Sequence, residues 1–166
     1  MNRLITASTT ILFLLTACGG GESESSIPGS TSAVNGVTDT EVVIGSHNDL
    51  SGPTALLGAA AVNGARMRFD EVNEAGGVHG RKIRFIVEDA QYQVPRAIQA
   101  ANKLINRDKI FAMLLAMGTP MNNAVMPMLF EKGIPNLFPI SGARSMVEPF
   151  KKLQFTGRGI YYDEIQ

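Results

Sequence analysis

From Thr40 onward, apolar positions follow two alternating rhythms: short β-branched runs, and longer stretches with apolar residues at helical spacing. Glu41-Val42-Val43-Ile44-Gly45-Ser46 reads as a first strand. The helix after it carries Leu57, Ala61, Val62, Ala65, Phe69 and Val72 on one face, with Arg66, Arg68, Asp70 and Glu71 off that stripe. Gly76-Gly77 ends it, since glycine accepts the positive φ of a helix stop. Lys82 to Glu88 reads as a second strand, and Pro95 opens a second helix with Ala97, Ile98, Ala101, Leu104 and Ile105 inward. Ile110 to Met117 is almost wholly apolar, as a strand buried on both faces should be. A third helix is expected from Pro120 to Lys132, kinked at Pro127 and stopped by Gly133, and a fourth strand from Ile134 to Pro139. Strands separated by helices of this length imply an α/β fold: a doubly wound parallel sheet with helices on both faces.

The front of the chain has a different pattern. Met1-Asn2-Arg3 is a short positive start, and Ile11-Leu12-Phe13-Leu14-Leu15 is an apolar core too short to span a bilayer, which takes about 20 apolar residues. Leu15-Thr16-Ala17-Cys18 resembles a bacterial lipobox, which implies lipid on the Cys18 sulfur and a mature chain starting there. A plain secretory signal is the alternative. Cys18 is the only cysteine, so no intramolecular disulfide can form. The expected organisation is a signal over residues 1–17, a flexible tether over 18–38, poor in apolar residues and rich in Gly and Ser, and a folded lobe over 39–166. Stable membrane attachment would come from several acyl chains, since one alone anchors marginally.

Removing residues 1–17 takes away Arg3, leaving 14 Lys and Arg against 15 Asp and Glu. With that balance and no basic run, nucleic acid is not an expected partner, because phosphate binding needs clustered cations.

Ligands of a doubly wound sheet bind beyond the carboxyl ends of its strands. The residues there are Asp49-Leu50-Ser51-Gly52-Pro53, Asp89, Gly118-Thr119-Pro120 and Ser141-Gly142-Ala143. Gly118 allows close approach to the backbone, and Thr119 is expected at the N-cap of the third helix, where free amides and the helix dipole favour a carboxylate. Helix capping alone would also explain Thr119, and turn chemistry alone would explain Ser51 and Ser141.

These corners are also where the chain resembles the leucine/isoleucine/valine-binding type of periplasmic solute-binding proteins, from Thr40 to about Gln166. The resemblance rests on Leu50-Ser51-Gly52-Pro53, Asn63-Gly64-Ala65, Asn73 to Gly80, Asn102-Lys103-Leu104-Ile105 and Glu131-Lys132-Gly133-Ile134-Pro135, taken in order. It implies two α/β lobes with a small ligand between them. Thr119 would then bind the ligand carboxylate, with a second hydroxyl site at Ser141 or one residue along at Gly142. Leu57 stands where the family often has an aromatic residue over the ligand side chain. It also implies a second lobe, beginning after Tyr161-Tyr162, and a segment returning to the first. The present chain is therefore expected to be a partial sequence, only marginally stable by itself and a weak binder.

Enzyme chemistry finds little support. There is no Gly-x-Ser-x-Gly elbow, no phosphate loop and no Gly-x-Gly-x-x-Gly after the first strand. His47 and His79 read as structural and surface polarity, and with Cys18 assigned to lipid a zinc cluster has no ligands. Met113, Met117, Met126 and Met128 lie in apolar elements and read as core rather than as a metal site. No cofactor is implied. Two functions remain: a receptor delivering an amino acid or similar carboxylate to an ABC transporter permease, and a sensor of the same fold reporting to a signalling partner. The lipobox, which would tether the protein outside the cytoplasm, favours transport.

Overall fold

The computed structural model describes residues 34–166. It has five strands and four α-helices in chain order: β1 (Glu41–Asn48), α1 (Ala55–Glu74), β2 (Lys82–Asp89), α2 (Val94–Asn102), β3 (Ala112–Leu114), α3 (Thr119–Glu131), β4 (Asn136–Leu137), β5 (Gln154–Phe155) and α4 (Tyr161–Glu164). All strand pairs are parallel, in the spatial order β2-β1-β3-β4-β5. The fifth strand was not expected. At two residues it is too short to show any period.

Strand alternation sorts the core. Val43 and Gly45 face α2 and α3, joining a cluster that includes Ala97, Leu104, Ile110, Met113, Met121, Val125 and Leu129. A Cβ on Gly45 would come within 2.9 Å of the Ile110 side chain, so this crossing needs glycine. Burying each large side chain of this cluster contributes about 1.5–3 kcal/mol. Val42, Ile44, Ile83 and Phe85 point the other way, toward α1, where Phe69 meets Phe85 edge-on at 5.3 Å. Helices therefore cover both faces. On the α1 side the cover is incomplete, leaving an apolar concavity of about 360 Å³ against Phe111, Leu114 and Leu137.

The third and fourth strands depart from expectation in the same way. Instead of running to Met117 and Pro139, each switches at one non-glycine residue to left-handed backbone, Leu115 at φ 54° and Phe138 at φ 50°. The Leu115 N–H donates to the Leu137 carbonyl at 3.0 Å, and pairing resumes as a bridge between Met117 and Ile140. The apolar composition was right about burial; it carried no sign of the break.

The folded part begins before residue 39, within the segment expected to be a tether. Gly36 (φ 68°) lies against the Lys109–Phe111 backbone, where a Cβ would come within 2.2 Å of the Phe111 nitrogen, and its carbonyl accepts the Val43 N–H at 2.7 Å. Residues 34–38 thus belong to the folded domain. The expected signal, Cys18 and the remainder of the tether lie outside the described residues. Among the described residues, no helix is long and apolar enough to cross a membrane.

Candidate ligand-binding site

The carboxyl ends of β1, β3 and β4 converge on one corner. Thr119 and Ser141 are brought together across it, with their hydroxyl oxygens 2.8 Å apart. The N-cap of α3 is Gly118 (φ 88°), one residue earlier than expected. Thr119 is the first helical residue and makes no side-chain capping bond. Its hydroxyl turns to Ser141, which also accepts the Ala143 N–H at 3.2 Å. Thr119 therefore has no local task that capping would explain.

Buried side chains hold this turn in shape. The Asn122 amide donates to the carbonyls of Ala116 (2.8 Å) and Gly118 (2.9 Å), and Asn136 donates to Asn122 at 3.0 Å. With Pro120 at the second helical position, the first turn of α3 presents the amides of Thr119 and Met121 but none between them. An anion here would meet two hydroxyls, two amides and the positive end of a 13-residue helix.

The Ser51 corner is differently engaged. Ser51 donates to Asp89 at 2.5 Å and accepts from Gln91 at 2.9 Å, so its hydroxyl holds the β1 and β2 loops together. Burial pushes the Asp89 carboxyl up, but bonds from Ser51, Leu50 and Gln91 outweigh it and hold the pKa below the usual value. Asp49 behaves alike: burial raises it, and donors from Thr54 and Gly52 bring it down. These carboxylates brace the start of α1, and Thr54 in turn reaches the Met117 sulfur at 3.2 Å, next to Gly118. Leu57 is 56% exposed at the first turn of α1, and the helix's buried side there begins at Gly58 instead.

Two tyrosines that sequence reasoning missed border the corner. A Cβ on Gly118 would come within 3.0 Å of the Tyr92 ring, and one on Gly142 within 2.7 Å of the Tyr161 ring. The Gly142 amide, then the Thr119 and Ser141 hydroxyls, lower the Tyr161 phenol pKa despite some burial. Glycines at 118 and 142 were the available signal: the Met121 methyl and the Tyr92 ring crowd the first, and the Tyr161 ring the second.

His47, at the end of β1, is fully buried and faces the α2 side rather than the corner; burial lowers its pKa to about 4, and neither ring nitrogen has a partner. His79 sits exposed in a turn at φ 51°. Met113, Met117 and Met126 are buried, as core residues should be. Among the described residues, no group of three or more His, Cys, Asp or Glu is placed to hold a metal ion.

The profile of a family described as periplasmic binding protein matches residues 41–155. The Leu/Ile/Val-binding protein homolog 1 of Brucella abortus is 35% identical over 71 residues, covering 43% of this chain and 19% of that protein. A fatty acid ABC transporter substrate-binding protein from Thermomonospora curvata superposes with a TM-score of 0.68 at 28% identity, covering 78% of this chain and 32% of that one. A branched-chain amino acid transporter substrate-binding protein from Streptococcus pneumoniae, in complex with isoleucine, superposes at 0.57 with 26% identity, covering 59% and 28%. This chain therefore spans about a third or less of the proteins it matches.

Proposed function

The chain belongs to the periplasmic binding protein family, and from that premise we propose that it supplies the first lobe of a solute-binding protein serving an ABC importer. The family is one of extracytoplasmic ligand binders, not enzymes. The ligand we propose is a small carboxylate, a branched-chain amino acid before others, held by Thr119 with Ser141 and the adjoining Gly118 and Gly142 backbone. The observation that carries this reading is the hydroxyl pair at the start of α3, engaged in no capping and set at the carboxyl edge of the sheet. The ligands of the two solved relatives support it chemically, since isoleucine and fatty acids share only a carboxylate and an aliphatic body.

A thermal-shift screen of the two-lobed protein against isoleucine, its amide, alanine and octanoate tests the class. A ligand at 100 times its Kd should add about 2.7 kcal/mol and several degrees to the melt. Stabilisation by isoleucine or octanoate but not by the amide is the expected result, and equal stabilisation by the amide would remove the carboxylate reading.

Membrane attachment through Cys18 completes the proposal, with the permease as the partner that receives the solute. It rests on the lipobox-like Leu15-Thr16-Ala17-Cys18 and on the lack of any second cysteine. Feeding an alkynyl fatty acid to expressing cells should label the wild type and leave Cys18→Ser unlabelled. Equal labelling of the two would end the lipoprotein reading.

A further inference from the structure

The loop that carries Ser141 has little packing to hold it in shape. Every residue from Val147 to Phe150 is exposed, Phe150 by 89%, and Met146 is the one buried residue between Ala143 and Lys151. Arg144 and Glu148 pair across the loop at 3.3 Å, but an ion pair this open to water contributes little. At the end of the loop the Lys151 ammonium turns back. It donates to the carbonyls of Ser145 at 2.9 Å, Pro149 at 3.0 Å and, more loosely, Glu148 at 3.4 Å. An ammonium has three N–H donors, and neutral main-chain oxygens engage all three. Carbonyl dipoles aimed at one point repel one another unless positive charge sits among them.

We propose that the Ser145, Glu148 and Pro149 carbonyls form a cage for a small monovalent cation, that its resident ion is the chain's own Lys151 ammonium, and that the cage fixes the loop carrying Ser141. Carbonyl oxygens alone suit an ammonium or a potassium ion, whereas calcium and magnesium draw on carboxylates. A series of hydrogen bonds joins the cage to Ser141. The Glu148 and Val147 N–H groups donate to the Arg144 carbonyl at 2.8 and 3.0 Å, and the Met146 N–H to the Ala143 carbonyl at 2.9 Å. The Ala143 N–H then donates to the Ser141 hydroxyl oxygen at 3.2 Å. Lys151 acts on Ser141 through these links and is a positioning residue. The cage stands whatever ligand the corner takes.

Lys151→Met keeps the apolar stem and removes the charge. In the full chain at fixed pH, hydrogen exchange at the Ala143, Met146 and Glu148 amides should quicken about tenfold in tetramethylammonium chloride, whose ion is too large for the cage. At equal ionic strength, ammonium or potassium chloride should slow it back toward the wild-type rate and raise the melt of the variant, while the wild type exchanges alike in all three salts. A variant that folds only with the small cations would be the same result at its extreme. Lys151→Arg, charged but planar, should exchange as fast as Lys151→Met in tetramethylammonium. Equal exchange in wild type and Lys151→Met, a deficit that neither small cation repairs, or full protection in Lys151→Arg would each overturn the cage. Faster exchange that stops short of Ala143 would overturn its hold on Ser141.

Discussion

Thr119→Val in the two-lobed protein is expected to weaken binding of a carboxylate ligand by about 10- to 150-fold. The substitution keeps the shape of the side chain and deletes one hydroxyl. A hydrogen bond to a charged group contributes about 1.5–3 kcal/mol, which converts to that range. The unliganded melt should move little. Thr119 makes no side-chain cap, so the substitution removes only its bond to Ser141, and Ser141 keeps the Ala143 N–H. A neutral hydrogen bond of this kind contributes about 1 kcal/mol. The pair of measurements separates the roles. Unchanged affinity with a lowered melt would make Thr119 a structural residue. Lost affinity for isoleucine, with none for its amide in either protein, would establish the carboxylate contact.

The second large effect is on acid stability and comes from His47. Burial disfavours the charged ring and lowers its pKa from the ordinary 6.5 of a solvated histidine to about 4 in the folded chain. Below pH 6.5 the unfolded chain takes up a proton that the folded chain refuses, so stability falls with pH until the folded ring also titrates near 4. The whole gap corresponds to about 3 kcal/mol. Asp49 and Asp89 act in the opposite sense and in a lower window. Their folded pKa values lie below 3.8, so the stability they contribute is present above that value and lost only as pH falls through the folded pKa. Denaturant unfolding from pH 7 to pH 5 thus reports mainly the histidine, since loss of the Asp contributions begins only as pH falls toward 3.8. In His47→Leu the slope across that window should flatten. Stability at pH 7 should hold or rise, since two unpartnered ring nitrogens are no longer buried. Equal slopes in both proteins would show that the acid sensitivity arises elsewhere.

The sequence revealed the parts of this fold that repeat. β1, β2 and helices α1 to α3 were legible because their apolar periods persist over several residues, and Gly76 and Gly77 ended α1 at positive φ as expected; the four-residue α4 was not foreseen. The left-handed steps were not, since leucine and phenylalanine are good strand residues and nothing beside Leu115 or Phe138 announces a positive φ. At the site, Thr119 and Ser141 were each legible as a hydroxyl at the end of a strand. Their direct contact spans 22 residues, and Ser51 is tied to Asp89 across 38, so both facts needed the assembled sheet. The N-cap was misplaced by one residue because Thr is a good cap and Gly118 gives no side-chain signal. Tyr161 escaped notice for another reason: aromatic residues in a loop look like surface until the glycine beneath them is located.

Leu115 and Phe138 have a consequence for how such a protein can change. Each left-handed residue costs about 1–2 kcal/mol, yet neither can relax alone, because the pairing beyond them requires both strands to step at the same height. The two loops above are therefore like adjacent treads of one staircase. Lengthening one by a residue would misalign the other's hydroxyl as well as its own. Diversification of this candidate corner should then proceed by exchanging side chains on treads of fixed height, or by transplanting both loops together, and seldom by inserting residues into one.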